Sequence, residues 1–263
     1  MADFGVDTRQ DPNGVAWIVL RNPARRNAVR LEMWQQLQAI ADTLAHDDRV
    51  RCVVLRGDGV EAFASGADIS EFETHRQDAV SAAAYEATTA GTFAALLALP
   101  QPVVAMLQGF CIGGGLAIAL CADLRVAADD TTLQLPAARL GLGYHMSGID
   151  RLLQIVGPSA AAEIFFTARR YTAVEAQSVG LVNRVVPKAH LDASIHDYVS
   201  VIAANAPLTL RAAKRTMQEL HRAPAERDVD AVRQGIAACF ESADYAEGVR
   251  AFLEKRSPRF TGR

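Results

Sequence analysis

Residues 101–127 read QPVVAMLQGFCIGGGLAIALCADLRVA. From Val103 to Ala122 no side chain is charged, so on length alone the stretch could cross a bilayer. Four glycines and Gln108 interrupt it, and Pro100 and Pro102 precede it. That punctuation predicts a buried strand over 103–107, a glycine turn over 109–115 and a buried helix to about 122. An apolar strand without alternation is covered on both faces, as in a parallel sheet.

The same texture recurs outward from this stretch. Cys52-Val53-Val54-Leu55 sits inside a predicted strand over 49–57. VAWIVL (15–20) and LVNRVVP (181–187) read as further strands, and residues 122–136 as one or two strands around an acidic turn. Between them lie helical patterns. Leu31, Trp34, Leu37, Ile40 and Leu44 predict a helix over 29–46, with Asn27 as its cap. An alanine-rich helix is expected to end near 98. Ser147 with Asp150 resembles a capping pair, Pro158 sits in a helix first turn, and Thr172 with Glu175 forms a capping box. Strand and helix alternate, so the class is α/β. Beyond 187 only helical stretches remain. The expected division is a core over 1–195 and a C-terminal helical region over 196–263.

Composition narrows the function. The 263 residues are 50% hydrophobic and 22% charged, which is globular. A net charge of −3, from 27 basic and 30 acidic residues, argues against a nucleic-acid surface. Cysteines at 52, 111, 121 and 239 have no C-x-x-C spacing, and the histidines form no H-E-x-x-H. No metal site, no disulfide framework and a reducing cytoplasm are therefore expected. The polar start, MADFGVDTRQDPNG, lacks the apolar stretch of a secretory signal.

Two glycine-containing loops carry the chemistry. Ala64-Ser65-Gly66-Ala67-Asp68-Ile69 follows one strand, and Gly109-Phe110-Cys111-Ile112-Gly113-Gly114-Gly115 follows another and opens a helix. The first turn of a helix has unpaired N–H groups and the positive end of the dipole. One N–H from each loop can converge on one carbonyl oxygen as an oxyanion hole. Loss of one such donor costs about 2.7–4 kcal/mol in other enzymes. Neither G-x-G-x-x-G nor G-x-x-x-x-G-K-[ST] is present.

LRNPARRNAV (20–29), FASGADISEF (63–72), residues 101–127, LGLG…G (140–148), GLVNRVVP (180–187) and AFLEKRSPRF (251–260) occur in that order. Together they resemble the enoyl-CoA hydratase/isomerase family, also called crotonase-like, over nearly the whole chain. The resemblance implies a spiral of ββα units with C-terminal helices, assembled as homotrimers or hexamers. It implies an acyl-coenzyme A substrate, with coenzyme A arriving as part of the substrate and no permanently bound cofactor. Ala67 and Gly114 match the two positions whose N–H groups hold the thioester oxygen. The Ala67-Asp68-Ile69 backbone would border adenine and pantetheine. Arg25 and the Asn27-Ala28 segment match nucleotide-side contacts, and Phe252 and Lys255 match residues that reach coenzyme A from a neighbouring helix or subunit. The basic clusters near the two ends, Arg21, Arg25, Arg26 and Arg30 and then Arg250, Lys255, Arg256 and Arg259, suit a polyanion.

The chain departs from the family where the chemistry is done. Hydratases of this family place glutamates at the positions occupied here by Ala117 and Ala137. A methyl group carries no proton, and general acid–base catalysis contributes about 10²–10⁴-fold. Hydration by the two-glutamate route is therefore in doubt. His145, Tyr144 and Asp150 are the alternative polar groups on the loop and helix that follow. Asp123 reads as structural, Cys111 and Cys121 as buried thiols, and the Asp68 side chain as turned into local bonding. Glu71 and His75 border a polar segment where a lid would sit. Two outcomes stay open: an enzyme that forms an enolate, and a module that binds acyl-CoA without turnover.

Overall fold

The computed structural model describes residues 4–71, 77–144 and 146–263. Two sheets organise them. The larger has the order β1 (Gly5–Gln10), β2 (Val15–Arg21), β3 (Cys52–Gly57), β5 (Val103–Leu107), β7 (Leu124–Ala128), β10 (Arg184–Val186). The smaller has the order β4 (Ala62–Ala64), β6 (Phe110–Ile112), β8 (Thr132–Gln134), β9 (Tyr171–Thr172). The chain visits them alternately. β3 then β4, β5 then β6, and β7 then β8 each give one strand to each sheet before a helical segment returns the chain. Successive turns pair in parallel in both sheets, so the ββα units stack as a spiral.

Alternation explains the uninterrupted apolar strands. Ala16, Ile18 and Leu20 of β2, Val53 and Leu55 of β3, and Val103, Ala105 and Leu107 of β5 face the main core. The residues between them, Val15, Trp17, Cys52, Val54, Val104 and Met106, face the other way. Helix α6 (Leu191–Ala204) covers that second face with Leu191, Ile195, Val199 and Ala203, at four-residue spacing. The expected division at 195/196 falls inside this helix. The helices that follow it are α7 (Pro207–His221), α8 (Val229–Glu241) and α9 (Ala243–Glu254).

The remaining helices are α1 (Leu31–Ala45), α2 (Ala79–Ala98), α3 (Gly114–Cys121), α4 (Met146–Thr167) and α5 (Ala173–Ser178). The uncharged stretch 103–122 divides into β5, β6 and α3, and no helix among the described residues is long and apolar enough to cross a membrane. The capping box expected at Thr172 is present: Thr172 Oγ1 accepts from Glu175 N at 3.2 Å, and Glu175 Oε2 accepts from Thr172 N at 2.8 Å. Pro158 follows Gly157, where φ of 77° kinks α4.

Three features differ from the sequence reading. The polar N-terminal segment forms β1, antiparallel to β2, because residues 11–14 close a hairpin. The glycine-rich loop contains a short strand, β6. Asn27 does not cap α1. It has φ of 56°, and its amide accepts from Asn22 N and donates to the Asp58 and Ala62 carbonyls. The cap comes instead from Glu71, which accepts from Leu31 N and Arg30 Nε, both at 2.8 Å. A carboxylate at a helix N-terminus is favoured by the dipole.

Asp123 ties the C-terminal helices to the sheet. Its Oδ2 accepts from Val103 N and from Lys214 Nζ, both at 2.7 Å, and Lys214 also donates to the Gln101 carbonyl. Burial pulls the Lys214 pKa down while Asp123 pulls it up, so the pair gains less than its geometry suggests. Removing one member still leaves the other without its counter-charge. Lys214→Met is expected to lower stability by about 1–3 kcal/mol, less than the roughly 3–5 kcal/mol of a fully buried pair because Asp123 is one-third exposed. A urea midpoint unchanged from the parent would show that the pair does not anchor α7.

Candidate active site

The two glycine-containing loops meet at the top of the spiral. Ala67 forms a single parallel bridge with Val29. Val29 N donates to Gly66 O at 2.8 Å, and Asp68 N donates to Val29 O at 2.9 Å. In parallel pairing those bonds come from the residues flanking Ala67, so its own N–H faces away from Val29. Gly114 is the first residue of α3. Gly113 before it has φ of 52° and donates its own N–H to Gln134 O at 2.8 Å. The first helical N–H, on Gly114, has no intrahelical acceptor.

Distances fix how close these amides lie. A Cβ placed on Gly114 would sit 3.3 Å from Ala67 N, and one placed on Gly66 would sit 3.8 Å from Gly114 N. The opposite end of α3 is capped by cations. Arg125 donates to Ala122 O at 2.7 Å, and Arg151 donates to Leu120 O and Ala122 O at 2.8 and 3.2 Å. The positive end of the helix dipole is left pointing at the Ala67–Gly114 corner.

A cavity of about 210 Å³ opens at that corner, with Ala67 and Gly114 in its lining. Ala117, three residues into α3, puts its methyl on the same wall. Ala137, after Pro136 at the start of a 3₁₀ turn, lines it as well. The far wall is one face of α2, carrying Tyr85, Glu86, Thr89, Ala90 and Phe93. Trp34 of α1 also lines the cavity; its Nε1 donates to Tyr85 Oη at 2.9 Å, and its ring meets Phe93 edge-on at 5.5 Å.

The enoyl-CoA hydratase/isomerase family profile matches residues 10–263. The chain belongs to the enoyl-CoA hydratase/isomerase family. It is 34% identical to a putative enoyl-CoA hydratase/isomerase, YngF, of Bacillus subtilis, over 94% of this chain and 95% of that one. Among solved structures it is similar to an enoyl-CoA hydratase/carnithine racemase from Magnetospirillum magneticum, with TM-score 0.93 and 35% identity over 98% of this chain and 96% of that one. A putative family protein from Hyphomonas neptunium gives TM-score 0.92 and 35% identity, covering 98% of both chains. The crotonase-like α/β fold with C-terminal helices, expected from the sequence, is the one the structure carries.

Within this enoyl-CoA hydratase/isomerase family member, the cavity gathers Ala67, Ile69, Gly114, Ala117, Ala137 and Tyr144 of the residues singled out in the sequence. Tyr144 packs edge-on against Phe165 at 5.3 Å, and burial pushes its hydroxyl up to about 12. It therefore stays protonated at neutral pH and can donate a hydrogen bond, but it is a poor base. His145, His75 and the Ser147 side chain lie outside the described residues. Asp150 is exposed and accepts from Gln154 Nε2 at 2.7 Å, away from the cavity lining.

The Asp68 side chain is buried and turned to its own loop, accepting from Ser70 N, Ser70 Oγ and Arg25. Arg25 remains half exposed at 53% and reaches solvent beside it. Asn27 spends its amide inside the loop, so any ligand contact there falls to the main chain of Asn27 and Ala28. Phe252 and Lys255 do not line the cavity of their own chain. Phe252 is 84% exposed and lines a second, apolar groove of about 1030 Å³ formed by α7, α8 and α9. Cys111 and Cys121 are buried off the cavity, and burial pushes the Cys121 thiol up to about 12. No cluster of three or more metal-ligating side chains occurs among the described residues.

The sequence reading expects the far wall of the pocket within residues 73–98 without naming its side chains, and the structure supplies them from α2. Tyr85, Thr89 and Phe93 recur at four-residue spacing and so share a helix face. That periodicity is visible in the sequence, but it does not say whether the face meets core or ligand.

Proposed function

We propose that this protein binds an acyl-coenzyme A thioester and stabilises its enolate. The carrying observation is the adjacency of the Ala67 and Gly114 amides at the dipole end of α3. A thioester oxygen that accepts from both N–H groups gathers negative charge when a bond at Cα is broken. The closeness of the two amides and of the helix end supports this reading, because fixed donors need no rearrangement as charge develops. The apolar lining from Ile112, Leu135, Leu142 and Phe93 suits an acyl chain. The small volume suits a compact acyl group.

Coenzyme A would leave the cavity past Ile69, which is 68% exposed, toward Arg25. Phe252 and Lys255 would contribute from a neighbouring subunit. The exposed apolar side chains of the C-terminal helices, Met217, Leu220, Phe240, Phe252 and Leu253, support assembly of that kind, as a homotrimer or hexamer. The setting proposed is cytoplasmic.

Alanine at 117 and 137 removes the hydratase glutamates while the enolate-stabilising corner is kept. Proton transfer at Cα, as in isomerisation or decarboxylation, is favoured over addition of water. The same two alanines favour a second reading, an acyl-CoA-binding protein without turnover. Butyryl-CoA incubated with the protein in D₂O separates the two. Deuterium entering Cα, followed by mass spectrometry, is the expected result. Tight binding without exchange selects the second reading, and absence of binding overturns both.

A further inference from the structure

We infer that Glu86 is the proton-transfer group of this site, taking the Cα proton from an acyl thioester whose oxygen rests on the Ala67 and Gly114 N–H groups. This rests on the enolate reading above and names the residue that completes it. The first observation is the composition of the cavity wall. Among the described residues that line it, Glu86 is the one Asp, Glu, His, Cys, Lys or Arg side chain. The two positions where relatives would place carboxylates present methyl groups. The four hydroxyls of the lining do not replace them: burial keeps Tyr144 protonated, Tyr85 Oη accepts from Trp34 Nε1 at 2.9 Å, and Ser65 Oγ and Thr89 Oγ1 donate to the Arg25 and Glu86 carbonyls, both at 2.9 Å.

The second observation is where Glu86 stands. It is on α2, which packs against α1 and reaches α3, and it lines the same cavity as Ala67 and Gly114. The helix is fixed there on both sides of Glu86. Tyr85 is bonded to Trp34, and Thr92 Oγ1 donates to the Trp34 carbonyl at 2.9 Å. A side chain one residue from such an anchor is presented from a rigid element, which is what proton transfer at a defined carbon requires.

The step balances without a further reactant. The Glu86 carboxylate forms an O–H bond with the Cα proton as the Cα–H bond breaks. That electron pair becomes the Cα–C1 double bond, and the carbonyl π pair moves onto the oxygen held by the two amides. Reversal returns the proton to Cα, or a deuteron once the carboxylic acid has exchanged with D₂O.

Butyryl-CoA exchange in D₂O is measured for the parent protein, Glu86→Gln and Glu86→Asp, with butyryl-CoA affinity measured alongside by calorimetry. Glu86→Gln is expected to lower exchange at least 100-fold with affinity within threefold, and Glu86→Asp to retain part of the rate. Exchange by Glu86→Gln within threefold of the parent overturns the inference while leaving the acyl-CoA reading intact. A parent that binds butyryl-CoA without exchanging it also overturns the inference. A parent that binds no butyryl-CoA overturns the acyl-CoA reading and this inference with it.

Discussion

Gly114→Ala is expected to lower butyryl-CoA exchange by about 10²–10³-fold while the protein stays folded. The added methyl would stand 3.3 Å from Ala67 N and 3.2 Å from Trp34 Cζ2. It therefore crowds the Ala67–Gly114 corner, and an oxygen bound between the two amides is displaced. Loss of one oxyanion donor in other enzymes costs about 2.7–4 kcal/mol, so obstruction of two sets the range as a minimum. The fold should tolerate the change, because shifts of a few tenths of an ångström in the Trp34 ring and the Ala67 main chain relieve both contacts, and alanine is a good helix residue. Gly115 is the informative contrast. A Cβ there would meet Ala64 O at 2.4 Å, which is main chain, so Gly115→Ala should damage stability first. The pair is read by thermal unfolding together with exchange. Gly114→Ala with parental exchange would show that the oxygen does not sit at this corner.

The two loops at that corner were legible as a strand, a turn and a helix start because those requirements are local, whereas Ala67 and Gly114 were singled out only through the family resemblance. A strand, a glycine turn and a helix start in the order of residues 101–122 admit few arrangements, and the second loop shows the same grammar around Gly66. The strand runs were legible for the opposite reason, since Val53 to Leu55 and Val103 to Leu107 need cover on both faces whatever the connections are. What escaped depends on partners distant in the chain. β1 is polar because it lies at a sheet edge, and only its pairing with β2 makes it a strand. Asn27 has the residue type of a cap, yet the Asp58 and Ala62 carbonyls claim its amide, and a carboxylate 40 residues from Leu31 does the capping. Glu86 escaped for a related reason. An acidic residue on an alanine-rich helix looks like ordinary solvent-facing charge until the helix is laid across the cavity.

Ala117→Glu with Ala137→Glu is expected to raise hydration of crotonyl-CoA by at least 10²-fold over the parent, followed as loss of the enoyl-thioester absorbance. Each group is worth about 10²–10⁴-fold where acid–base catalysis is complete, and the pair should exceed the sum of the singles. The physical case turns on the charge state. Position 117 is in the first turns of α3, where the dipole favours a carboxylate, whereas Ala137 is 6% exposed on a 3₁₀ turn beyond that dipole. Two carboxyl groups sharing one small cavity cannot both ionise easily, so one holds a proton while the other accepts. An acid and a base are what addition of water across the double bond needs. The cost is volume, since the added groups enter a space of about 210 Å³, and affinity for crotonyl-CoA should weaken as the rate rises. If the folded double variant binds crotonyl-CoA and hydrates it no faster than the parent, the two methyl groups are not what limits water addition. The obstacle would then lie in how the acyl chain is held against the α2 wall.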